Sequence, residues 1–142
     1  MKLNKVQREQ VRMKFGGRCA YCGHNLPERW HADHLIAVER ESWGKDKGMM
    51  LRPENDTIEN MMPSCPPCNI SKHRLSIEEW RKWLAGHMRS LNEHHSIYRL
   101  MLSYGCVVET GKPITFHFER VGHNIEVNGG AAAEQEKSNG ND

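Results

Sequence analysis

Apolar residues recur most regularly at Ile77, Trp80, Leu84 and Met88, three and four apart, which predicts a helix buried along that stripe to about Ser90. Ser76 and Glu79 stand at the spacing of a reciprocal capping box and mark its start. The same reading places Trp80 and Trp83 in the core. A second helical period, at Ile97, Leu100, Met101 and Tyr104, predicts a helix from about Glu93 to Tyr104 that Gly105 stops. Near the N-terminus the apolar stripe is thin, but Asn4 and Gln7 form another capping-box pair. A helix from there to about Phe15 should end at Gly16-Gly17.

Between these helices the period shortens. Residues 30–36 read as a short strand, and Thr57 to Pro63 as its hairpin partner. A short helix near Cys68 would carry Asn69, Lys72 and His73. From Glu39 to Asn55 the chain reads as a long mobile loop of mixed charge. Cys106 to Glu109 and Ile114 to Glu119 predict a C-terminal β-hairpin turning at Gly111-Lys112-Pro113, with Cys106 as a small buried hydrophobe. From residue 128 the chain is too polar to pack and reads as a disordered tail. These elements predict an α+β fold in one domain, 1–127 with its core at about 19–90, followed by the tail at 128–142.

A chain of 142 residues suits one domain and gains from a staple. No apolar run has the length of a membrane span, and no signal-like segment opens the sequence. The expected compartment is therefore reducing and cytoplasmic, the host cytoplasm if a phage encodes the chain, and its five cysteines point to metal rather than disulfides. Charge is uneven: residues 1–90 carry 16 Lys and Arg against 11 Asp and Glu, whereas 91–142 carry 4 against 7. That asymmetry suits a polyanion such as nucleic acid, although an ordinary solvated surface is equally compatible. The first helix, with Lys5, Arg8, Arg12 and Lys14, is a candidate backbone-contacting face.

Cys19-Ala20-Tyr21-Cys22 and Cys65-Pro66-Pro67-Cys68 are matched Cys-x-x-Cys knuckles separated by 42 residues. Four thiolates make a closed tetrahedral zinc site, whose role is structural because no position is left for substrate. The insert between them holds Asp33-His34, and Asn69 follows the last cysteine directly. Asp33 and Asn69 offer oxygen ligands to Mg²⁺ or Mn²⁺, with Ni²⁺ a third candidate, and His73 lies four residues on as a further ligand. His34 can take a proton from an attacking water. Arg40, Lys45, Lys47 and Arg52 in the loop, and Lys72 at the N-terminal turn of its helix, are candidate phosphate contacts.

Asp33-His34, Asn60 and Cys65-Pro66-Pro67-Cys68-Asn69-Ile70-Ser71-Lys72 together resemble the HNH nucleases of the His-Me finger superfamily, in the four-cysteine form common in phages and bacteria. The likeness is strong over about residues 19 to 74. It implies a ββα-metal core, His34 as general base, a divalent ion at Asp33 and Asn69, and Asn60 steadying the loop that orients His34. DNA is the implied partner. Two alternatives stay open: a zinc-stapled DNA-binding or phage assembly module without catalysis, and an RNase or toxin-type nuclease.

Overall fold

The computed structural model describes residues 1–123; the predicted tail and the domain end at 127 lie outside the described residues. Helix α1 (Lys5–Met13) begins where the sequence places it, with the Asn4 side chain accepting from the Gln7 amide and Gln7 answering to the Asn4 amide. It buries Val11 completely. Arg8, and Lys14 at its C-cap, do structural work. Arg8 lies 4.2 Å over the Trp30 ring and donates to the Trp30 carbonyl, while Lys14 Nζ donates to the carbonyls of Ile58, Glu59 and Met61 at 2.6–3.1 Å. The Lys14 ammonium thereby holds the turn that enters the second strand.

Strands β1 (His31–His34) and β2 (Met61–Ser64) form an antiparallel pair with His31 opposite Ser64 and His34 opposite Met61. β2 is buried throughout, and its outer edge takes a hydrogen bond from the Ala20 amide to the Pro63 carbonyl at 2.8 Å. The first cysteine knuckle therefore docks on the sheet. Between the strands, residues 38–52 are not structureless: Arg40 bridges Met50, the Glu41 amide donates to the Met49 carbonyl, and the Arg52 amide to that of Val38. The loop is an irregular hairpin, followed by a 3-10 turn at Pro53–Asn55.

After β2 comes helix α2 (Pro66–Lys72), then α3 (Ile77–His94) behind the predicted Ser76 capping box, then α4 (Ser96–Ser103). Trp80 is buried, but Trp83 and Met88 are half exposed, because only the first turns of α3 lie over the core. Trp83 instead meets His87 edge-on at 4.1 Å. Trp83 therefore leaves the predicted core.

The predicted C-terminal hairpin does not form. Among the described residues no strand follows β2, and Cys106 is exposed rather than buried. The segment instead runs back over the knuckle as a strap. The His117 amide donates to the Tyr21 carbonyl and the Phe118 amide to that of Ala20, before the short helix α5 (His117–Arg120). Phe116 stacks on Trp80 at 4.8 Å and meets the Tyr21 ring edge-on. Gly23 sits under this strap with φ +78°, and a Cβ there would stand 3.0 Å from the His117 ring, so both space and backbone require glycine. The resulting fold is mixed α and β, with a two-stranded sheet, a four-cysteine cluster and flanking helices.

Arg81 clamps the strap: its guanidinium pairs with both oxygens of Glu119 and lies 4.7 Å over the Phe116 ring. Burial opposes ionisation of Glu119, but the bonds from Arg81 and the Phe116 amide outweigh it and hold the carboxyl below its ordinary value. A carboxyl depressed on folding stabilises above its unfolded pKa and loses that contribution as pH falls through the folded one. Glu119→Gln is expected to cost about 1–2 kcal/mol at pH 7. Urea melts of the two proteins should converge as pH drops below about 4.

Candidate functional site

The cluster of cysteines is assembled by two local devices. The Cys19–Cys22 knuckle turns through Gly23, and Cys65 caps α2 so that Cys68 comes round in its first turn. The four sulfurs all lie within 4.8 Å of one another, and those of Cys22 and Cys65 are 3.8 Å apart. Tetrahedral zinc with Zn–S near 2.3 Å sets sulfurs about 3.8 Å apart, so the donor set could bind zinc. Hydrogen bonding to Cys68 pushes the Cys19 thiol down, and the same bond pushes Cys68 up, while burial raises Cys22. Four negative charges accumulate here only around a cation.

One peptide bond beyond Cys68 stands Asn69, which faces β1. Its side-chain amide lies 2.8 Å from His31 Nδ1. Further along α2, Lys72 is fully buried and places Nζ 3.2 Å from Asp33 Oδ2 and 2.9 Å from the His34 carbonyl. The Tyr21 hydroxyl donates to that same Oδ2. Burial raises the Asp33 carboxyl above its ordinary value, against the pull of Lys72 and the Tyr21 bond. Neither Lys72 nor Tyr21 bonds Oδ1 of Asp33, and the His31 contact uses the nitrogen of Asn69, so each residue keeps an oxygen suited to a hard cation.

His34 is fixed from two sides. Its ring Nε2 lies 2.8 Å from Asp56 Oδ1, in a pair whose side chains are 19% and 12% exposed. Its backbone is followed by a segment that Asn60 clamps: the Asn60 side chain accepts from the Ile36 amide and donates to the carbonyls of Ile36 and Asn55 at 2.7–3.0 Å. The bend after β1 is thereby locked to the turn before β2.

Asp33, His34, Asn69 and His73 line one cavity of about 790 Å³, with Arg40, Trp43 and Arg74 also on its wall. His73 ends α2 at φ +50°, so it leaves the helix rather than repeating the Asn69 face one turn on. Lys72 does not serve as a phosphate contact. α2 starts at Pro66, two residues earlier than expected, which moves Lys72 from the first turn to the buried last turn. Of the loop cations, Arg40 donates to the Gly48 carbonyl and Arg52 pairs with Glu39 at 3.4 Å, while Lys45 and Lys47 stand exposed at the tip.

Sequence reading missed Tyr21, His31, Asp56, Trp43 and Arg74. His31 alone carried a signal, since it stands two residues before Asp33 and therefore on the same strand face. No helix among the described residues is long and apolar enough to cross a membrane.

Residues 19–75 match the family model described as HNH endonuclease, and the resemblance read from the motif holds for that region. The chain is also 29% identical over 101 residues to the SPbeta prophage protein YoqL of Bacillus subtilis (strain 168), which is provisionally named an HNH endonuclease. That alignment covers 70% of this chain and 39% of the relative, so the chain spans well under half of its length. No solved structure matches the chain.

Two measurements probe this arrangement. Cys65→Ser should lose stoichiometric zinc by elemental analysis and melt far below the parent protein, because binding energy at such sites is folding energy. Lys72→Met leaves Asp33 buried without its counter-charge and should cost about 3–5 kcal/mol in urea unfolding.

Proposed function

We propose that this chain is a metal-dependent endonuclease that hydrolyses DNA phosphodiester bonds, with a ββα-metal core formed by β1, β2 and α2. The observation that carries this reading is the single cavity in which Asp33, His34 and Asn69 meet, inside the region that matches the HNH endonuclease family. The name of the prophage relative agrees with it.

His34 is the general base. With Nε2–H donated to Asp56, the neutral ring keeps Nδ1 as its acceptor, and this nitrogen takes the proton of the attacking water. Asp56 then stabilises the imidazolium that forms, as a carboxylate behind a catalytic histidine does elsewhere. Asn60 acts through the backbone, holding the bend that aims the ring. Asp33 and Asn69 would hold Mg²⁺ or Mn²⁺, with His73 at the cavity wall as a third donor. When bound, such an ion supplies charge stabilisation at the phosphate and the departing 3′ oxygen. Attack in line leaves a 5′ phosphate on the product.

Zinc at Cys19, Cys22, Cys65 and Cys68 is a closed staple in this reading and takes no part in the reaction. Lys45 and Lys47 at the loop tip, with the still exposed guanidinium groups of Arg40 and Arg52, are the phosphate contacts that position DNA over the cavity.

Plasmid nicking in Mg²⁺ tests this directly, with radiolabelled RNA as a parallel substrate. His34→Ala should slow cleavage by about 10²–10⁴-fold. Asp56→Asn, which can no longer anchor the ring as a charged acceptor, should slow it on the order of 10²-fold. Both variants are expected to keep cooperative melting. Wild-type nicking by a folded His34→Ala protein defeats the assignment, and cleavage of RNA alone replaces the substrate.

A further inference from the structure

Trp43 is not explained by anything in the fold. It is 83% exposed, the most exposed large apolar side chain among the described residues. The other three tryptophans each have a ring partner: Trp30 takes Arg8, Trp80 takes Phe116, and Trp83 takes His87. Trp43 has none among the described residues, yet its backbone is held. Glu41 accepts from the amides of Ser42 and Trp43 through one carboxylate oxygen at 2.8 and 3.2 Å. The Gly48 amide closes the loop onto the Glu41 carbonyl at 2.8 Å. Gly44 follows in the left-handed region at φ +74°. The loop thus fixes the main chain on either side of an indole that it leaves in solvent.

The placement of that indole is specific. Trp43 lines the same cavity as His34 and Asn69, on a wall that also carries Arg40 and Arg74, with Lys45 two residues further along the loop. An aromatic face beside cations, next to a site for phosphodiester chemistry, suits a nucleobase: the cations take the backbone and the ring takes the base's π-face. A stacked duplex exposes no such face, so the base concerned has left its stack.

We propose that Trp43 is a base-stacking subsite that receives an unstacked nucleobase adjoining the phosphate attacked beside His34, and that it favours single-stranded or locally unpaired DNA. This rests on the nuclease reading above. Burial of the indole by the base supplies affinity that fully paired DNA cannot reach, so Trp43 sets which strand segments enter the cavity.

The test uses the full chain carrying His34→Ala, so that DNA binds without being cut, and oligonucleotides with 2-aminopurine at successive positions, single-stranded or fully paired. Adding Trp43→Ala should weaken single-strand binding by about 10- to 100-fold. It should also remove the fluorescence change of one 2-aminopurine position while leaving the salt dependence intact, since the phosphate contacts remain. Trp43→Phe should restore most of the affinity. Equal affinity and an unchanged fluorescence response for the His34→Ala protein with and without Trp43→Ala overturn the stacking subsite alone. Failure of the His34→Ala protein to bind any DNA overturns the nucleic-acid reading and the subsite together. Binding of paired DNA that depends on Trp43 as strongly as binding of the single strand overturns the preference for unpaired bases.

Discussion

The geometry of the site depends on one fully buried ammonium. Lys72 has no access to solvent, so its charge must be met by protein acceptors, and those it finds are Asp33 Oδ2 and the His34 carbonyl. Both belong to β1, while Lys72 belongs to α2. A helix turn earlier Asn69 is brought against His31, so the rotation of α2 about its axis is set by where Lys72 must point. The strand is held to its register by the same demand: a slip of one residue against β2 would turn Asp33 to the opposite face, away from both Lys72 and Tyr21. Desolvation and attraction largely offset each other in a buried pair. What the pair supplies is a single arrangement of strand and helix.

The cysteine cluster works on that arrangement from the other end. Cys68 and Asn69 are consecutive, and Tyr21 stands between the two cysteines of the first knuckle, where its hydroxyl reaches Asp33. The knuckle is in turn held by β2 through Ala20 and by the strap through Ala20 and Tyr21. Sulfur cluster, strap and carboxylate therefore share a backbone of four residues. Loosening the cluster would free Tyr21 and leave Asp33 with half of its support.

What the sequence disclosed was local in its causes. The caps at Asn4 and Ser76 need only residues three apart, and both formed. The two knuckles are short turns with ligands at fixed spacing, and they met. The failures were of partner rather than of pattern. Ile114, Phe116 and Phe118 alternate as a strand does, but Phe116 and Phe118 are buried against the knuckle and Trp80, and the amides of His117 and Phe118 found knuckle carbonyls instead of a second strand. The helix was expected only from about Cys68, yet proline is well tolerated in the first turn of a helix, and its start at Pro66, two residues earlier, inverted the reading of Lys72. Asp56 stands 22 residues from His34 and carries no motif. Only the closing of the hairpin through Asn60 brings the two together.

That closure holds the residues of the candidate site in one arrangement without any ligand. The His34 ring is held by Asp56, its carbonyl by Lys72, and the bend that follows it by Asn60, so three side chains from two segments, the turn before β2 and helix α2, fix one residue. Asp33 and Asn69 are each anchored by one side-chain atom and keep the other in reserve. In the proposed reaction, fixing the His34 ring while leaving an oxygen of Asp33 and of Asn69 uncommitted would remove the ordering cost from the moment of reaction and move it into folding, where the buried Lys72 and the clustered thiols bear it. A domain of this size can carry that load only if distant segments are tied together, and here the tie and the site adjoin at the peptide bond between Cys68 and Asn69.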